Sequence, residues 1–274
     1  MPNTGRVKLL TRSQLLSSDG ADAMASSGGD SVSNLLSFDR TGYWQSDDEQ
    51  DGTASTININ FNQITSISRL LIVDTNVKTL NIRLSAVPLN VIDIDNLPVA
   101  SLAPYNNTNP AIYLEFDPIL VNSLEIQAVD TQVPNQRKYI RQVIVCNEIG
   151  AFVGFPDVTS FNENHNPIIH RASTGVKSVI KQIRTIDSFN LRFKTYPEAK
   201  DIELSERLFT WKEKSFTLWP CGGGYGSDHF LFEKEGWRLQ DIYNVQAIGR
   251  KSHKWWRNLY KSGAQTSLRL IEVI

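Results

Sequence analysis

The stretch from Asn34 to Leu84, NLLSFDRTGYWQSDDEQDGTASTININFNQITSISRLLIVDTNVKTLNIRL, decides the fold predicted for this 274-residue chain. Within it, Thr56–Phe61 alternates apolar and polar residues, which places every second side chain on one face of a half-buried strand. Two further apolar segments, Leu70–Val73 and Leu80–Leu84, flank the turn-forming residues Asp74–Asn76. The stretch therefore predicts consecutive β-strands, with a turn between the second and the third.

The residues that precede these strands follow a recognisable order. An apolar pair, Leu35–Leu36, leads through an aspartate turn into Tyr43–Ser46, and the acidic loop Asp47–Asp51 comes next. This order resembles the first half of a discoidin-type (galactose-binding-like) β-sandwich. The resemblance extends over about residues 5–150. It implies that Trp44 is buried against the strands that follow it, and that the domain serves one of the many binding functions of this fold.

The remainder of the first half continues the pattern of short strands separated by turn signals. Ser17–Ser33 is rich in Ser, Gly, Asp and Ala, which predicts a loop or a mobile arm. Pro118 is expected to end a strand. Almost no helical period is present, so the fold class predicted is mainly β, a sandwich or jelly roll. The further predicted strands are Val7–Leu10, Asn90–Ile94, Ala111–Asp117, Leu124–Ala128 and Ile140–Cys146.

Charge divides the chain into two unlike halves. Residues 1–164 have 10 Lys/Arg against 18 Asp/Glu, a net charge of −8, whereas residues 165–274 have 18 against 11, a net charge of +7. Such asymmetry favours a domain boundary and contacts between acidic and basic surfaces, although two separately solvated halves would show it as well. We therefore predict a sandwich domain at 1–150, a connector at 151–166 and a second domain at 167–274.

The second domain is predicted to be β-rich with one or two short helices. Val176–Ile183 has apolar residues at helical spacing, whereas Phe189–Thr195 is typical of a strand. Glu203–Trp219 combines helical spacing in its first part with a strand-like end. Further strands are expected at Leu239–Val245 and Leu268–Ile274.

Composition is that of a globular protein, with 41% hydrophobic and 21% charged residues. No run approaches the roughly 18 to 20 apolar residues that a membrane helix needs, so membrane insertion is not expected. The N-terminus lacks an apolar core and a cleavage site, and we expect no secretory signal. Cys146 and Cys221 are far apart in sequence; reduced, packed thiols are favoured over a disulfide.

Catalytic signatures are weak throughout the sequence. Cys221–Gly226 lacks the Lys-Ser/Thr ending of a phosphate-binding loop, and the four histidines have no metal-ligand spacing. Asp47–Asp51 has the clustered oxygens that calcium prefers, but a solvated loop is the favoured interpretation. We expect no catalytic residue, metal or cofactor, and therefore no enzyme. A glycan hydrolase is the third alternative, because numerous carboxylates could include a catalytic pair.

A basic and aromatic segment, Arg250–Tyr260, stands near the C-terminus. Such residues occur on nucleic-acid surfaces, but a sequence pI of 6.4 argues against nucleic acid as the main partner. A core edge or a subunit contact is the favoured role, because aromatic and Arg side chains contribute much of the energy of protein interfaces. The residues predicted at an assembly interface are Arg250, Lys251, Lys254, Trp255, Trp256 and Arg257.

The order of the two domains and the β-rich residue pattern of the second domain make the whole chain similar to accessory and distal tail proteins of tailed bacteriophages. This resemblance implies a virion structural protein of a tail tip or baseplate, with the sandwich facing outward and the second domain attached to the tail. It implies other tail or baseplate proteins as partners, ring-like homo-oligomers and a location in the virion.

A carbohydrate-binding or receptor-binding module is the alternative to the structural role. Aromatic rings stack on sugar faces, and Asn and Asp side chains hydrogen-bond sugar hydroxyls. In this interpretation the sandwich loops around Trp44 and Asn106–Asn109 hold a glycan of a host surface, and the second domain is only a mount. The candidate ligand residues are Trp44, Asp47, Asp48, Asn106 and Asn107.

Overall fold

The computed structural model describes residues 7–15, 20–38, 42–47, 50–86, 90–93, 106–152, 157–164, 168–171, 177–180, 186–195, 203–204, 207–208, 215–219, 242–247, 252–257 and 262–273. In these ranges, β-strands dominate and the predicted mainly β fold is confirmed. The strands are β1 Val7–Thr11, β2 Asp22–Ala25, β3 Trp44–Gln45, β4 Ser55–Thr75, β5 Val77–Ala86, β6 Asn90–Asp93, β7 Ala111–Thr131, β8 Tyr139–Cys146, β9 Glu148–Phe152, β10 Asp157–Asn164, β11 Ile168–Arg171, β12 Lys177–Ile180, β13 Ile186–Thr195, β14 Phe216–Trp219, β15 Tyr243–Ala247, β16 Ser252–Arg257 and β17 Ser262–Glu272.

Two long strands build the sandwich. The first sheet has the order β3-β8-β4-β7-β5-β6, with β2 paired to β4. Both β4 and β7 have 21 residues, and their mutual pairing is antiparallel with register shifts near the middle of each strand. Ile57 from the first part of β4 and Ile72 from its last part belong to one buried core cluster. The two halves of each long strand therefore lie in opposite layers, and the layers enclose a shared core.

Pro118 does not end a strand, contrary to the prediction. Ile119 pairs with Ile67 and Glu115 pairs with Arg69, so residues 116–118 together lie opposite a single residue of β4. Proline cannot donate a ladder hydrogen bond, and a bulge is where a strand tolerates it. The segments predicted as separate strands on either side of Pro118 are consequently one continuous bent strand.

Within the predicted loop or arm at 17–33, the described residues 20–33 form regular structure. Among those described, β2 pairs with the beginning of β4, and Gly29–Leu36 forms a 3-10 helix. Val32, Leu35 and Leu36 of this helix are buried in the core of the sandwich. Burial of these apolar side chains stabilises a helical turn that the polar composition of the segment did not predict.

A second, eight-stranded sheet has the order β10-β13-β17-β15-β14-β1-β9, with β16 paired to β17. Strand β1 joins both halves of the sequence, because Leu9 lies opposite Gly150 of β9 and opposite Leu218 of β14. The N-terminal strand is thus hydrogen-bonded into a sheet built mostly from the C-terminal half. The domain limits at 150 and 167 stay a prediction.

The second sheet packs on the outer face of the sandwich layer formed by β8, the end of β4 and the beginning of β7. Successive residues of β4 point in opposite directions, so Leu70 enters the sandwich core whereas Leu71 faces the second sheet. Leu71 shares its cluster with Leu10 and Trp219 of the second sheet. One layer of strands is therefore buried on both faces.

One prediction for the C-terminal half is corrected, and the connector at 151–166 stays a prediction. The 151–166 connector contains strand β10, which pairs with β13. Within Val176–Ile183, where apolar spacing predicted a helix, Lys177–Ile180 forms β12 and pairs with β11. Short apolar runs fit a strand as well as a helix, and here the pairing decides. Helical residues are described at 203–204 and 207–208, while Phe216–Trp219 is the predicted strand. No helix among the described residues is long and apolar enough to cross a membrane.

Candidate functional site

Four connecting segments meet at one end of the sandwich, here called the loop end: residues 46–47 with 50–52, 76–78, 106–110 and 131–138. Hydrogen bonds join them directly. The Asn76 side chain donates to the Arg137 carbonyl at 2.9 Å, and the backbone N–H of Gln132 donates to the Asn76 carbonyl at 2.8 Å. The backbone N–H of Asn107 donates to the Lys78 carbonyl at 2.8 Å. The loop end is therefore a connected, hydrogen-bonded surface.

Trp44 lies beneath this surface. Its side chain is fully buried in the sandwich core, as the resemblance implied. The indole Nε1 donates to the Ser27 carbonyl at 3.0 Å, which satisfies the polar end of the ring. A fully buried ring has no face for a sugar to stack on. Trp44 is accordingly removed from the candidate ligand residues, and its role is to support the backbone at Ser27.

Asp47 forms part of the rim above Trp44. Its Oδ2 accepts hydrogen bonds from the Gly28 backbone N–H at 2.8 Å and from the Ser27 hydroxyl at 3.4 Å. The backbone N–H of Asp47 donates in turn to the Ser27 hydroxyl oxygen at 2.8 Å. These contacts hold the carboxylate in one orientation beside the start of the 3-10 helix. Of the predicted ligand residues that the structure describes, Asp47 lines a pocket between the 3-10 helix, β3 and the loop before β8.

The geometry at Gly28 requires glycine. Its φ of 67° is in the left-handed region, and a Cβ at this position would lie 1.8 Å from the Gln45 carbonyl oxygen. No side chain fits that space. Gly29, directly after it, has nothing within 4 Å of a built Cβ. The close approach of Gly28 to β3 is what brings the start of the 3-10 helix against Asp47.

An open pocket of about 500 Å³ lies between the 3-10 helix, β3 and the loop that precedes β8. Three charged residues line it. Asp30 belongs to the 3-10 helix, Asp47 follows β3, and Arg137 belongs to the loop before β8. Its volume is in the range of small-molecule sites, about 300 to 1,000 Å³. The complete lining is Gly28, Gly29, Asp30, Ser31, Tyr43, Gln45, Ser46, Asp47 and Arg137.

Tyr43 supplies the aromatic surface of the pocket. Its side chain is exposed, with 47% of the residue's surface accessible, and its ring packs edge-on against Tyr139 with centroids 6.1 Å apart. Asn34 donates a side-chain hydrogen bond to the Tyr43 carbonyl at 3.1 Å. Tyr43 is thus exposed at the protein surface, and it lines the same pocket as Asp47.

The sequence analysis did not predict Tyr43, Asp30 or Arg137 as site residues. For Tyr43 a signal was available, because neighbouring residues of an extended segment point to opposite sides. A buried Trp44 therefore places Tyr43 outside. No local pattern identifies Asp30 or Arg137, because their proximity depends on the pairing of β3 with β8.

The remaining predicted ligand residues have different positions. Asn106 is exposed at the loop end and has a φ of 53°, but it does not line the pocket. Asn107 is buried, and its amide group bonds to the Val77 and Asn109 carbonyls and to the Asn109 N–H. An amide committed to the backbone is a structural group. Asp48 lies outside the described residues.

Asp51 is held by protein donors. Its Oδ1 accepts from the N–H and hydroxyl of Thr131, at 3.0 and 2.9 Å, and its Oδ2 accepts from the Asn135 N–H at 3.2 Å. Desolvation opposes ionisation, but these hydrogen bonds and the charge of Lys138 outweigh it and lower the pKa of Asp51. No group of three or more metal-ligating side chains occurs among the described residues. The Asp51 carboxylate therefore ties two loops together, a role different from the calcium alternative.

A second ionisable cluster lies where β1 meets the sandwich. Arg69 Nη2 lies 2.8 Å from Glu115 Oε1 and 3.0 Å from Glu148 Oε2. Lys8 Nζ lies 3.4 Å from Glu115 and donates to the Tyr113 hydroxyl at 2.8 Å. Two cations and two carboxylates balance one another here. Burial, above all, raises the pKa of Tyr113 far above its usual range, so the phenol stays protonated. The cluster serves to join the two sheets.

Four of the six predicted assembly residues lie within the described residues. Lys254, Trp255, Trp256 and Arg257 lie on β16, which pairs with residues 262–265 of β17. Arg250, Lys251 and Cys221 lie outside the described residues. Cys146 is a free, buried thiol, and burial raises its pKa, so it stays protonated. The role of the basic segment in assembly stays a prediction.

Comparisons with known proteins give structural likeness alone. No protein-family model and no curated protein matches the chain. Similar solved structures include chitosan-binding module 1 of a chitosanase/glucanase from Paenibacillus sp. IK-5, at 15% identity and a TM-score of 0.38 over 48% of this chain and 97% of that one. Another is the family 32 carbohydrate-binding module of Clostridium perfringens NanJ, in complex with galactose, at 15% identity and a TM-score of 0.38 over 51% and 98%.

A third similar structure is a putative alpha-L-fucosidase from Bacteroides thetaiotaomicron, at 14% identity and a TM-score of 0.39. The likeness covers 47% of this chain and 28% of the fucosidase chain. At such identities and scores these structures do not assign an activity to this chain.

Proposed function

We propose that the sandwich is a carbohydrate-binding module and that the pocket between the 3-10 helix, β3 and the loop before β8 is its glycan site. The observation that carries the proposal is that one pocket is lined by the exposed Tyr43 and by Asp47, whose carboxylate is held in one orientation. A sugar ring has an apolar face and a rim of hydroxyls, so it needs an aromatic platform with fixed polar groups next to it.

The polar groups of the pocket suit this ligand class. The carboxylates of Asp30 and Asp47 accept hydrogen bonds from hydroxyls, and the Arg137 guanidinium donates them. Charge-assisted hydrogen bonds of this kind are stronger than those between neutral groups. Because Asp47 is already fixed by Gly28 and Ser27, little conformational entropy is lost when a ligand binds to it.

A glycan array probed with the labelled full-length chain tests this proposal. We expect a restricted set of glycans to bind, and Tyr43→Ala to weaken binding of the best one by about tenfold in calorimetric titration. Val133→Ala is the matched control, because Val133 is an exposed apolar residue in the loop before β8 that does not line the pocket. Absence of binding to every glycan of a broad array would overturn the proposal. Equal losses in both variants would place the site elsewhere.

The virion role is the setting we propose for this module. The net charges of −8 and +7 in the two parts of the sequence favour contacts with other acidic and basic surfaces. The protein would then be a subunit of a tail tip or baseplate that forms homo-oligomers. Its sandwich would face outward and bind a glycan of a host surface, which combines the structural role with the carbohydrate-binding role. A non-enzymatic role belongs to the same proposal, and its support is the absence of a catalytic motif in the sequence.

A further inference from the structure

We infer that Lys138 positions the rim of the pocket. Its ammonium group takes the place that a bound metal ion has in a metal-dependent loop. The inference deepens the proposed function and rests on it for the glycan site alone. The positioning role itself depends only on contacts within the protein. Lys138 is a positioning residue and does not line the pocket.

The first observation is the complete burial of Lys138. Its relative exposure is 0%, and it is among the largest fully buried side chains described. Lysine is almost never fully buried without a partner, because removing an ammonium group from water is costly. Its Nζ donates to the Gln50 carbonyl at 2.9 Å. The buried charge is therefore used to hold the backbone of the acidic loop.

The second observation is that Lys138 holds this loop at two places. Besides the contact with Gln50, its backbone N–H donates to the Ser46 hydroxyl oxygen at 3.0 Å, and its carbonyl accepts from the Ser46 N–H at 2.9 Å. Ser46 and its neighbour Asp47 both line the pocket, as does Arg137, the residue before Lys138. One side chain and its own backbone thus connect the acidic loop to the loop before β8.

The third observation is that a carboxylate lies in the electrostatic field of Lys138. The Asp51 carboxylate, next to Gln50, is affected by the positive charge of Lys138 and is held by Thr131 and Asn135. A cation bonded to a backbone carbonyl, with a carboxylate in its electrostatic field, has oxygen surroundings of the kind that a hard metal ion prefers. Here an ammonium group supplies the charge, so the loop end needs no divalent metal.

Chemical rescue tests this inference. Lys138→Ala removes three methylene groups and the ammonium, which is the outline of propylammonium. We expect the Tm of this variant to fall by about 4 °C or more, and the glycan affinity to fall by about tenfold. Propylammonium chloride should restore part of both losses, whereas propan-1-ol, which has similar size but no charge, should not. Lys78→Ala is the matched control, because in the part of the chain that the structure describes the Lys78 side chain makes no hydrogen bond or ion pair, and Lys78 does not line the pocket.

Two further measurements separate positioning from general stability. Hydrogen exchange should accelerate in Lys138→Ala at the amides of Thr131 and Asn135, which bond to Asp51, and it should stay slow at Ile126 in the core. In the wild-type protein, EDTA and calcium chloride should leave the Tm unchanged. This measurement of the wild-type Tm tests the inference even if Lys138→Ala does not fold.

Several outcomes would overturn the inference. Lys138→Met, which keeps a chain one atom shorter and removes the charge, must not retain the wild-type Tm and loop protection. A rise in the wild-type Tm with calcium would show that a metal supplies the charge. If the wild type binds no glycan, the proposed function fails, while rescue of Tm and of hydrogen exchange by propylammonium still decides the role of Lys138.

Discussion

The ammonium nitrogen of Lys8 lies 2.8 Å from the hydroxyl oxygen of Tyr113 and 4.4 Å from the centre of its ring. Lys8 belongs to β1 of the second sheet and Tyr113 belongs to β7 of the sandwich, 105 positions away in sequence. The other face of this contact is apolar, because the rings of Tyr113 and Trp219 lie 5.0 Å apart. The Lys8 ammonium group and the Tyr113–Trp219 ring pair together stabilise the contact between the two sheets.

This contact predicts a measurable coupling between the two residues. Tyr113→Phe should lower the free energy of unfolding by about 1 kcal/mol, the usual contribution of a hydrogen bond. Lys8→Met should cost more, about 2 kcal/mol, because it removes a buried cation and leaves two partly buried carboxylates with one cation fewer. Urea unfolding of both variants and of the double variant should give a non-zero interaction energy. Strict additivity would show that the contact contributes nothing.

Gly28→Ala should destabilise the protein and disrupt the pocket. The new Cβ would meet the Gln45 carbonyl, and the backbone would keep a left-handed φ. We expect a loss of more than about 1 kcal/mol in unfolding free energy. Gly29→Ala is the control, because its Cβ meets nothing within 4 Å. Comparable losses in the two variants, measured by denaturant unfolding, would contradict the geometry at Gly28.

Trp44 and its neighbour Tyr43 should have opposite phenotypes. Trp44→Ala removes a fully buried side chain and should cost about 3 to 5 kcal/mol of stability. Tyr43→Ala should change stability by about 0.5 kcal/mol or less, because exposed positions usually tolerate substitution, yet it should weaken glycan binding. Thermal unfolding and titration of both variants separate the two roles. A destabilised Tyr43→Ala would point to a structural role for that ring.

Acid should release the connection made by Asp51. Because the folded state lowers the pKa of Asp51 from its ordinary value of 3.8, the stabilisation is complete above about pH 4 and is lost as the pH falls through the lower, folded-state value. The difference in unfolding free energy between wild type and Asp51→Asn should therefore be constant near neutral pH and shrink below pH 4. A difference that grows in acid would have the wrong sign.

The basic segment gives a prediction about assembly. Reversing the charges of Arg250, Lys251, Lys254 and Arg257 should block self-association while leaving the thermal transition nearly unchanged. Salt should weaken association of the wild type, because exposed charges are screened within about 10 Å at 0.1 M. Sedimentation of both proteins at two salt concentrations measures this. A monomeric wild type under every condition, with no partner protein able to recruit it, would remove the support for assembly.

Sequence patterns predicted most individual strands but not their connections. Thr56–Phe61 and Leu70–Val73 were each predicted from local periodicity, yet both belong to β4. Their continuity depends on the bulged pairing with β7, which no local pattern encodes. The prediction of a helix at Val176–Ile183 was wrong for a related reason. Apolar spacing over so few residues fits both a helix and a strand, and the pairing of β11 with β12 decided between them.

By itself, the sequence determined which strand faces are apolar, and with them the mainly β fold, because the alternation of side chains along a strand is a local property of the backbone. It also contained the information that Tyr43 and Trp44 point in opposite directions. Only the tertiary structure brought Asp47 and Arg137 to one pocket and enclosed Lys138 beneath it. Ser46 and Lys138 are 92 positions apart, and contacts over that distance depend on how the whole chain pairs and packs.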